Sequence, residues 1–314
     1  MPDEPSPHVL HLIATFEEDI RRHVIADLPH AAAHTGELQG MLMRELMDIY
    51  VNWTHRFILP RPRRIHQSKA LQENPLAADP AHRQALDALI EKIKVGEVLT
   101  PHLTDRVLRG YEPADPSKPK ALSKRKDLDL LLNDWLIHHL HIGPALKSNG
   151  FFGGDLLLFA VFKPHDTYLI DLMRHKNWEH EHLIEVVVRE WPNQNLAMVL
   201  AGILPGEPFS REDRKRLRNV GMATTLSIDG KAVVGAGCLS TGGTSGSTQY
   251  HAGQLQSRLS AFLHRIADNP HHVHDVLRER GDPVPDKLDL HFEFFRTGGY
   301  GIVDAQIGQI IRLG

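Results

Sequence analysis

The chain has 314 residues, 41% hydrophobic and 24% charged, a soluble globular composition that excludes a fibrous or intrinsically disordered class. That length suffices for two ordinary domains, or for one domain with a helical appendage. A formal charge of −3 gives no global attraction to nucleic acid, so an anionic partner must be met by a local basic patch.

A single cysteine excludes an internal disulfide and any CxxC zinc motif. The start, MPDEPSPHVLHLIATFEED, lacks a basic segment followed by an apolar one, and no apolar run reaches the length of a membrane span. These features predict a cytoplasmic protein with no membrane partner.

In chain order, apolar residues Val9, Leu12, Ile13, Phe16, Ile20 and Val24 recur at spacings of three and four, which predicts a helix over residues 8–28. A second helix is expected over 37–56, with Leu38, Leu42, Leu46, Ile49 and Trp53 on its buried face. Four prolines in 60–80 mark a connecting loop, followed by a helix over 82–94 and, after the Thr100-Pro101 start, a short helix. Residues 111–127, rich in proline and lysine, read as a linker or mobile loop.

A leucine-rich helix then runs to about Ile137 and closes on His138. DLLLFAVF and TYLIDLMR, joined by Lys-Pro-His-Asp, predict a β-hairpin over 155–174. Helices are expected at 178–191 and 194–203, and Ser210 with Asp213 forms a capping box that starts another. Beyond it come a hairpin over 224–234 turning at Asp229-Gly230, helices at 250–267 and 271–280, and strands at 287–295 and 301–313. The fold class is α+β. Its expected parts are a helical region (1–115), a central helix–hairpin–helix unit (116–205), and a C-terminal α+β part (206–314) with a glycine-rich loop at 235–253.

The stretch NDWLIHHLHIG holds the candidate chemistry. In a strand that follows the helix, Leu140 and Ile142 face the core while His139 and His141 share the open face. His175 and Lys176 follow directly on the strand TYLIDLMR, with Trp178 just beyond, at a strand exit where side chains are both fixed and exposed.

A leucine-rich helix, HLHIG, the strand LLLFAVF, a tight turn and TYLIDLMRHKNW together resemble the core of the RelE/HigB-like messenger-RNA interferase toxins, over about residues 127–182. Histidines stand here where that family carries arginines, and KSNGFFGGD is inserted. The resemblance implies a metal-independent ribonuclease with no cofactor, with RNA as substrate, a protein inhibitor or regulator as a further partner, and a toxin or defence role. Histidine suits such chemistry because its ordinary pKa lets it take or give a proton at neutral pH. His141 and His175 are the expected acid–base pair, with His139 in reserve. Arg174 and Lys176 would stabilise the charged transition state, Lys124, Arg125 and Lys126 would draw in the RNA backbone, and Trp178 would stack on a base.

Two other uses of the same chain are open. His139, His141 and His175 with Asp134 or Asp171 have the donor chemistry of a zinc hydrolase, although no H-E-x-x-H is present. Alternatively the chain is a non-enzymatic regulatory or self-associating module in which the histidines only pack. The glycine-rich loop lacks the Gly-Lys-Ser/Thr of a phosphate loop and has no G-x-S-x-G elbow, so its expected role is structural, with Cys238 a buried hydrophobe.

Overall fold

The computed structural model of the chain describes residues 7–115, 117, 125–143, 145–175, 180–206, 209–219, 222, 224–240, 242–268, 272–284, 289–294, 300–304 and 310–312. It is an α+β protein with mostly antiparallel strands and helices throughout its N-terminal region. Two compact units form, one from residues 1–50 with 250–314 and one from 51–249. This division cuts across the composition-based one, because the first helices share a unit with the C-terminal strands.

Helix α1 (Pro7–Asp27) buries Phe16, Ile20 and Val24 of the predicted stripe, while the side chains of Val9, Leu12 and Ile13 lie outside the described residues. The second expected helix is two, α2 (Thr35–Gly40) and α3 (Met43–Thr54). The chain turns extended at Met41, and Leu42 is 70% exposed rather than buried. Gly40 explains the break, since glycine weakens the last helical turn.

The proline-rich stretch 60–80 hides a strand, β1 (Arg64–Gln67), followed by the single turns α4 (Lys69–Gln72) and α5 (Pro75–Ala78). Helix α6 (Pro80–Val95) has Asp79 as its N-cap and Gly96, at φ 83°, as its left-handed C-cap. Thr-Pro starts only a 3₁₀ turn, Thr100–His102. Helix α7 (Leu130–Trp135) leads to the strands β2 (His138–Ile142), β3 (Leu156–Phe162) and β4 (Asp166–Arg174). Helix α8 (His180–Glu190) follows, then β5 (Ala197–Val199) where a helix was expected. Next come α9 (Arg211–Asn219), the hairpin β6 (Leu226–Ile228) and β7 (Lys231–Gly235), and helices α10 (Gly246–Asp268) and α11 (His272–Arg280). The two expected C-terminal strands are three: β8 (Leu290–Phe294), β9 (Tyr300–Asp304) and β10 (Ile310–Arg312).

In the smaller unit, β8, β9 and β10 form an antiparallel sheet. Asp19 of α1, 4% exposed, accepts hydrogen bonds from Arg22 at 2.6 Å and from His291 of β8 at 2.9 Å, tying helix to sheet.

The larger unit is built on a four-stranded sheet of order β1-β4-β3-β2, antiparallel except for the β1–β4 pair. Both faces are covered. Leu140, Ile142, Leu158 and Leu172 pack under α6 residues Leu86, Leu89, Ile90 and Ile93. On the other face Leu157, Phe159 and Ile170 meet Trp135 of α7, Leu183, Ile184 and Val187 of α8, and Leu226 and Val233 of the β6–β7 hairpin. Burial from both sides explains why β3 reads as an unbroken apolar run instead of an alternating one. Each such large side chain contributes about 1.5–3 kcal/mol on leaving water.

Asp229 and Gly230 have φ of 50° and 72°, the left-handed pair that a tight two-residue hairpin needs. Two glycines of the glycine-rich loop sit where the loop approaches α7 closely. A Cβ on Gly235 would lie 2.0 Å from the Asp134 carbonyl oxygen, and one on Gly237 would lie 2.2 Å from that of Asn133. Asn133 also donates to the Gly243 carbonyl at 2.8 Å, so α7 and the loop are locked together. Gly237→Ala is accordingly expected to lower stability by about 2–4 kcal/mol in urea melts, by pushing two backbones apart. An unchanged midpoint would show that the loop yields. Cys238 is exposed at φ 51°, not buried as its small neighbours suggested.

The segment 111–127 is not a linker at its ends. Tyr111 is buried, the Lys126 amide donates to the Glu112 carbonyl at 3.1 Å, and Asp127 sits in an ion-pair cluster with Arg56 and Arg125.

Candidate functional site

Helix α7 ends because Leu136 adopts φ 57°, a left-handed cap, and β2 begins two residues later. His138 is therefore the first residue of β2 rather than the helix end. It lies on the face of Leu140 and Ile142, with its ring 5.4 Å from that of Phe162. His139 and His141 point to the other face, opposite Phe159 and Leu157 respectively. That face carries the α8 layer, and at its β2 edge both histidines stay half-buried.

His175 follows β4 immediately, and its amide donates to the Asp155 carbonyl at 2.7 Å, prolonging the ladder. The ladder brings the distant histidine home. The His141 and His175 ring centroids are 5.8 Å apart with planes tilted by 39°, and His139 lies 6.3 Å from His141. His139 also approaches the Asp129 carboxylate at 3.8 Å.

Beside β2 lies His102, 5% exposed, which sequence reasoning missed. Its Nδ1 is 3.0 Å from the His141 carbonyl oxygen, which can only accept, so Nδ1 carries the proton. Nε2 then accepts from Lys92 Nζ at 3.3 Å. The ring stacks on Phe152 at 4.2 Å, and the Phe152 amide is held by the Pro101 carbonyl at 2.7 Å. The KSNGFFGGD insertion thus builds a support for β2. No local pattern around His102 announces that contact, because its partners come from α6 and from residues 141 and 152.

Three imidazoles are held neutral. Burial pushes His141 down to about 4, helped by the nearby His139 and His175 and opposed by the Gly154 backbone. Burial does the same to His102, against its bond to the His141 carbonyl, and to His138, each also at about 4. The folded state therefore binds fewer protons than the unfolded chain between pH 6.5 and about 4. Stability from these groups is fully present above pH 6.5 and is lost as pH falls to about 4. Urea midpoints taken across that interval are expected to drop steadily on acidification; a flat profile would mean the three rings are protonated in the fold.

The other expected site residues divide. Arg174 is exposed beside the site and pairs with Asp155 at 3.5 Å, and Lys126 is exposed. Arg125 is half-buried: its guanidinium makes two bonds to Asp127, at 3.1 and 2.7 Å, and lies 5.6 Å from the Tyr111 ring centre. Lys124, Lys176 and Trp178 lie outside the described residues. Among the described residues, no three His, Cys, Asp or Glu side chains are grouped so as to hold a metal ion. Of the expected carboxylates, Asp134 is buried beside the glycine loop, and Asp171 accepts from His182 and Asn74. No described helix is long and apolar enough to cross a membrane. Comparisons of the chain with protein-family models, with curated proteins and with solved structures returned no match.

Proposed function

We propose that the unit of residues 51–249 is a metal-independent ribonuclease, acting in the cytoplasm, with His141 and His175 as its acid–base pair. The observation that carries this reading is their approach, ring centres 5.8 Å apart, from strands two apart in the sheet. Two imidazoles so placed reach atoms of one phosphodiester. The short resemblance of residues 127–182 to the messenger-RNA interferases belongs to the same proposal.

His141, kept neutral by burial, takes the proton of the RNA 2′-hydroxyl. The 2′-oxygen attacks phosphorus, the bond to the 5′-oxygen breaks, and His175, exposed at the strand exit, gives that oxygen a proton. The products are a 2′,3′-cyclic phosphate and a 5′-hydroxyl end. Arg174 supplies positive charge beside the phosphate, and Lys126 adds attraction for the backbone. Arg125 contributes less than Lys126 in this reading, since its guanidinium is held by Asp127.

Single-stranded RNA incubated with the purified protein in excess EDTA tests the reading. Cyclic-phosphate ends are expected, and a 2′-deoxy substitution at the scissile nucleotide should block the cut. Intact RNA, or cleavage that survives the deoxy substitution, would remove the proposal.

A further inference from the structure

The segment KSNGFFGGD, residues 147–155, brings to the histidines a cation that no sequence pattern singled out. Its first half is a tight hairpin: the Lys147 amide donates to the Phe151 carbonyl at 2.8 Å, the Gly150 amide donates to the Lys147 carbonyl at 2.9 Å, and Leu146 bridges Phe152. The hairpin is tied to the chain before β2. The Phe152 amide donates to the Pro101 carbonyl at 2.7 Å, while Asn149 accepts from the Phe151 amide at 3.2 Å and donates to Asp105 at 3.3 Å. The backbone of Lys147 therefore has one place.

Its side chain has one direction. A Cβ on Gly153 would lie 2.1 Å from Lys147 Cε and 3.2 Å from its Cδ and Cγ, so the lysine stem runs across this glycine. Gly153 in turn abuts the end of β2: a Cβ on Gly143 would lie 2.0 Å from the Gly153 carbonyl oxygen, and one on Gly154 would lie 3.1 Å from that of Ile142. The Asp155 carbonyl then accepts from the His175 amide at 2.7 Å. Residues 153–155 thus run between the strand end that carries His141 and the one that leads to His175, and the lysine lies on Gly153.

Lys147 is exposed, and among the described residues its ammonium has neither an ion pair nor a hydrogen bond. Arg174 differs, because the Asp155 carboxylate at 3.5 Å claims part of its charge. The Lys147 charge is one of those that lower the pKa of His141, so the ammonium is within electrostatic reach of that ring. Ordering so flexible a side chain costs entropy, and here no bond from its head within the protein repays it.

We propose that Lys147 is the phosphate-binding cation of this site, donating to a non-bridging oxygen of the scissile phosphate while Gly153 leaves the space its stem needs. The proposal rests on the ribonuclease reading of His141 and His175 and deepens it, by giving the inserted segment the task of holding the substrate. An ammonium has three N–H donors and no acceptor, so all of them are open to the anion.

Inorganic phosphate is the probe, titrated into the full chain at constant pH and ionic strength while the imidazole NMR signals of His141 and His175 are followed. Both are expected to shift with one midpoint. Lys147→Gln should weaken phosphate about tenfold, as loss of one charge-assisted contact does, and Lys147→Arg should recover most of that loss. Gly153→Ala keeps the lysine and takes away its seat. The three nearest atoms to its methyl all belong to the Lys147 side chain, so the urea midpoint should hold while phosphate weakens, with no further loss on adding Lys147→Gln. Unchanged phosphate affinity in Lys147→Gln, or histidine signals that ignore phosphate, would overturn the site. The two ideas fail separately: Lys147-dependent phosphate binding in a protein that cuts no RNA leaves the phosphate site and removes the ribonuclease, whereas RNA cleavage at the full rate in Lys147→Gln does the reverse.

Discussion

RNA cleavage in excess EDTA is expected to fall by about 10²–10⁴ in both His141→Ala and His175→Ala, the range for removing a general acid or base. His175→Ala is the cleaner change, because that ring is exposed and its loss leaves no cavity. His141 is half-buried, with its Nδ1 enclosed, so its alanine variant also needs a urea melt to show the unit still folded. The pH profile separates the roles. His141 acts as a base only when neutral, so wild-type activity should hold down to its pKa of about 4 and fail below it. An acid limb near the ordinary histidine value of 6.5 would mean another group takes the proton. Full activity in both variants would sink the assignment.

Asp127→Asn should cost about 3–5 kcal/mol of stability, the penalty for leaving a buried charge without its partner. The Asp127 side chain is 0% exposed and accepts from Arg56 at 2.7 Å, from Arg125 at 3.1 and 2.7 Å, and from the Glu112 amide at 3.2 Å. Arg56, 4% exposed, gives its other arm to the Arg109 carbonyl at 2.8 Å. The asparagine leaves both guanidinium groups without their countercharge and points an N–H₂ at one of them. Replacing Arg56 as well, by methionine, should recover part of the loss, because one unpaired buried charge goes with it. Urea melts of the single and double variants check this; equal midpoints for wild type and Asp127→Asn would show that water screens the cluster.

Legibility from sequence followed the range of the interactions. α1, α6, the β3–β4 hairpin and the β6–β7 turn were readable because their causes are local: an apolar period, a cap, an Asp-Gly pair. β1 was not, since Arg64–Gln67 is a strand only through its parallel pairing with residues 166–169, a hundred positions away. β5 failed for the same reason: Ala197–Val199 is short and gains its conformation by pairing with β7. The break at Gly40 and the left-handed Leu136 are small backbone events that shift whole faces, exposing Leu42 and turning His138 to the side of Leu140. The candidate site shows the same contrast. Alternation alone placed His139 and His141 on one face, while their nearness to His175 needed the antiparallel register of three strands.

The residue types are what this sequence determines by itself: an α+β chain with histidines where one helix period gives way to a strand period, and a third histidine at a strand exit. Tertiary structure decided their state. It bonded His102 to the His141 carbonyl, held the Arg125 guanidinium against the buried Asp127, and brought His182 to a buried carboxylate. The physical reason is that charge and protonation depend on burial and on partners, and both arrive from parts of the chain that no local pattern connects.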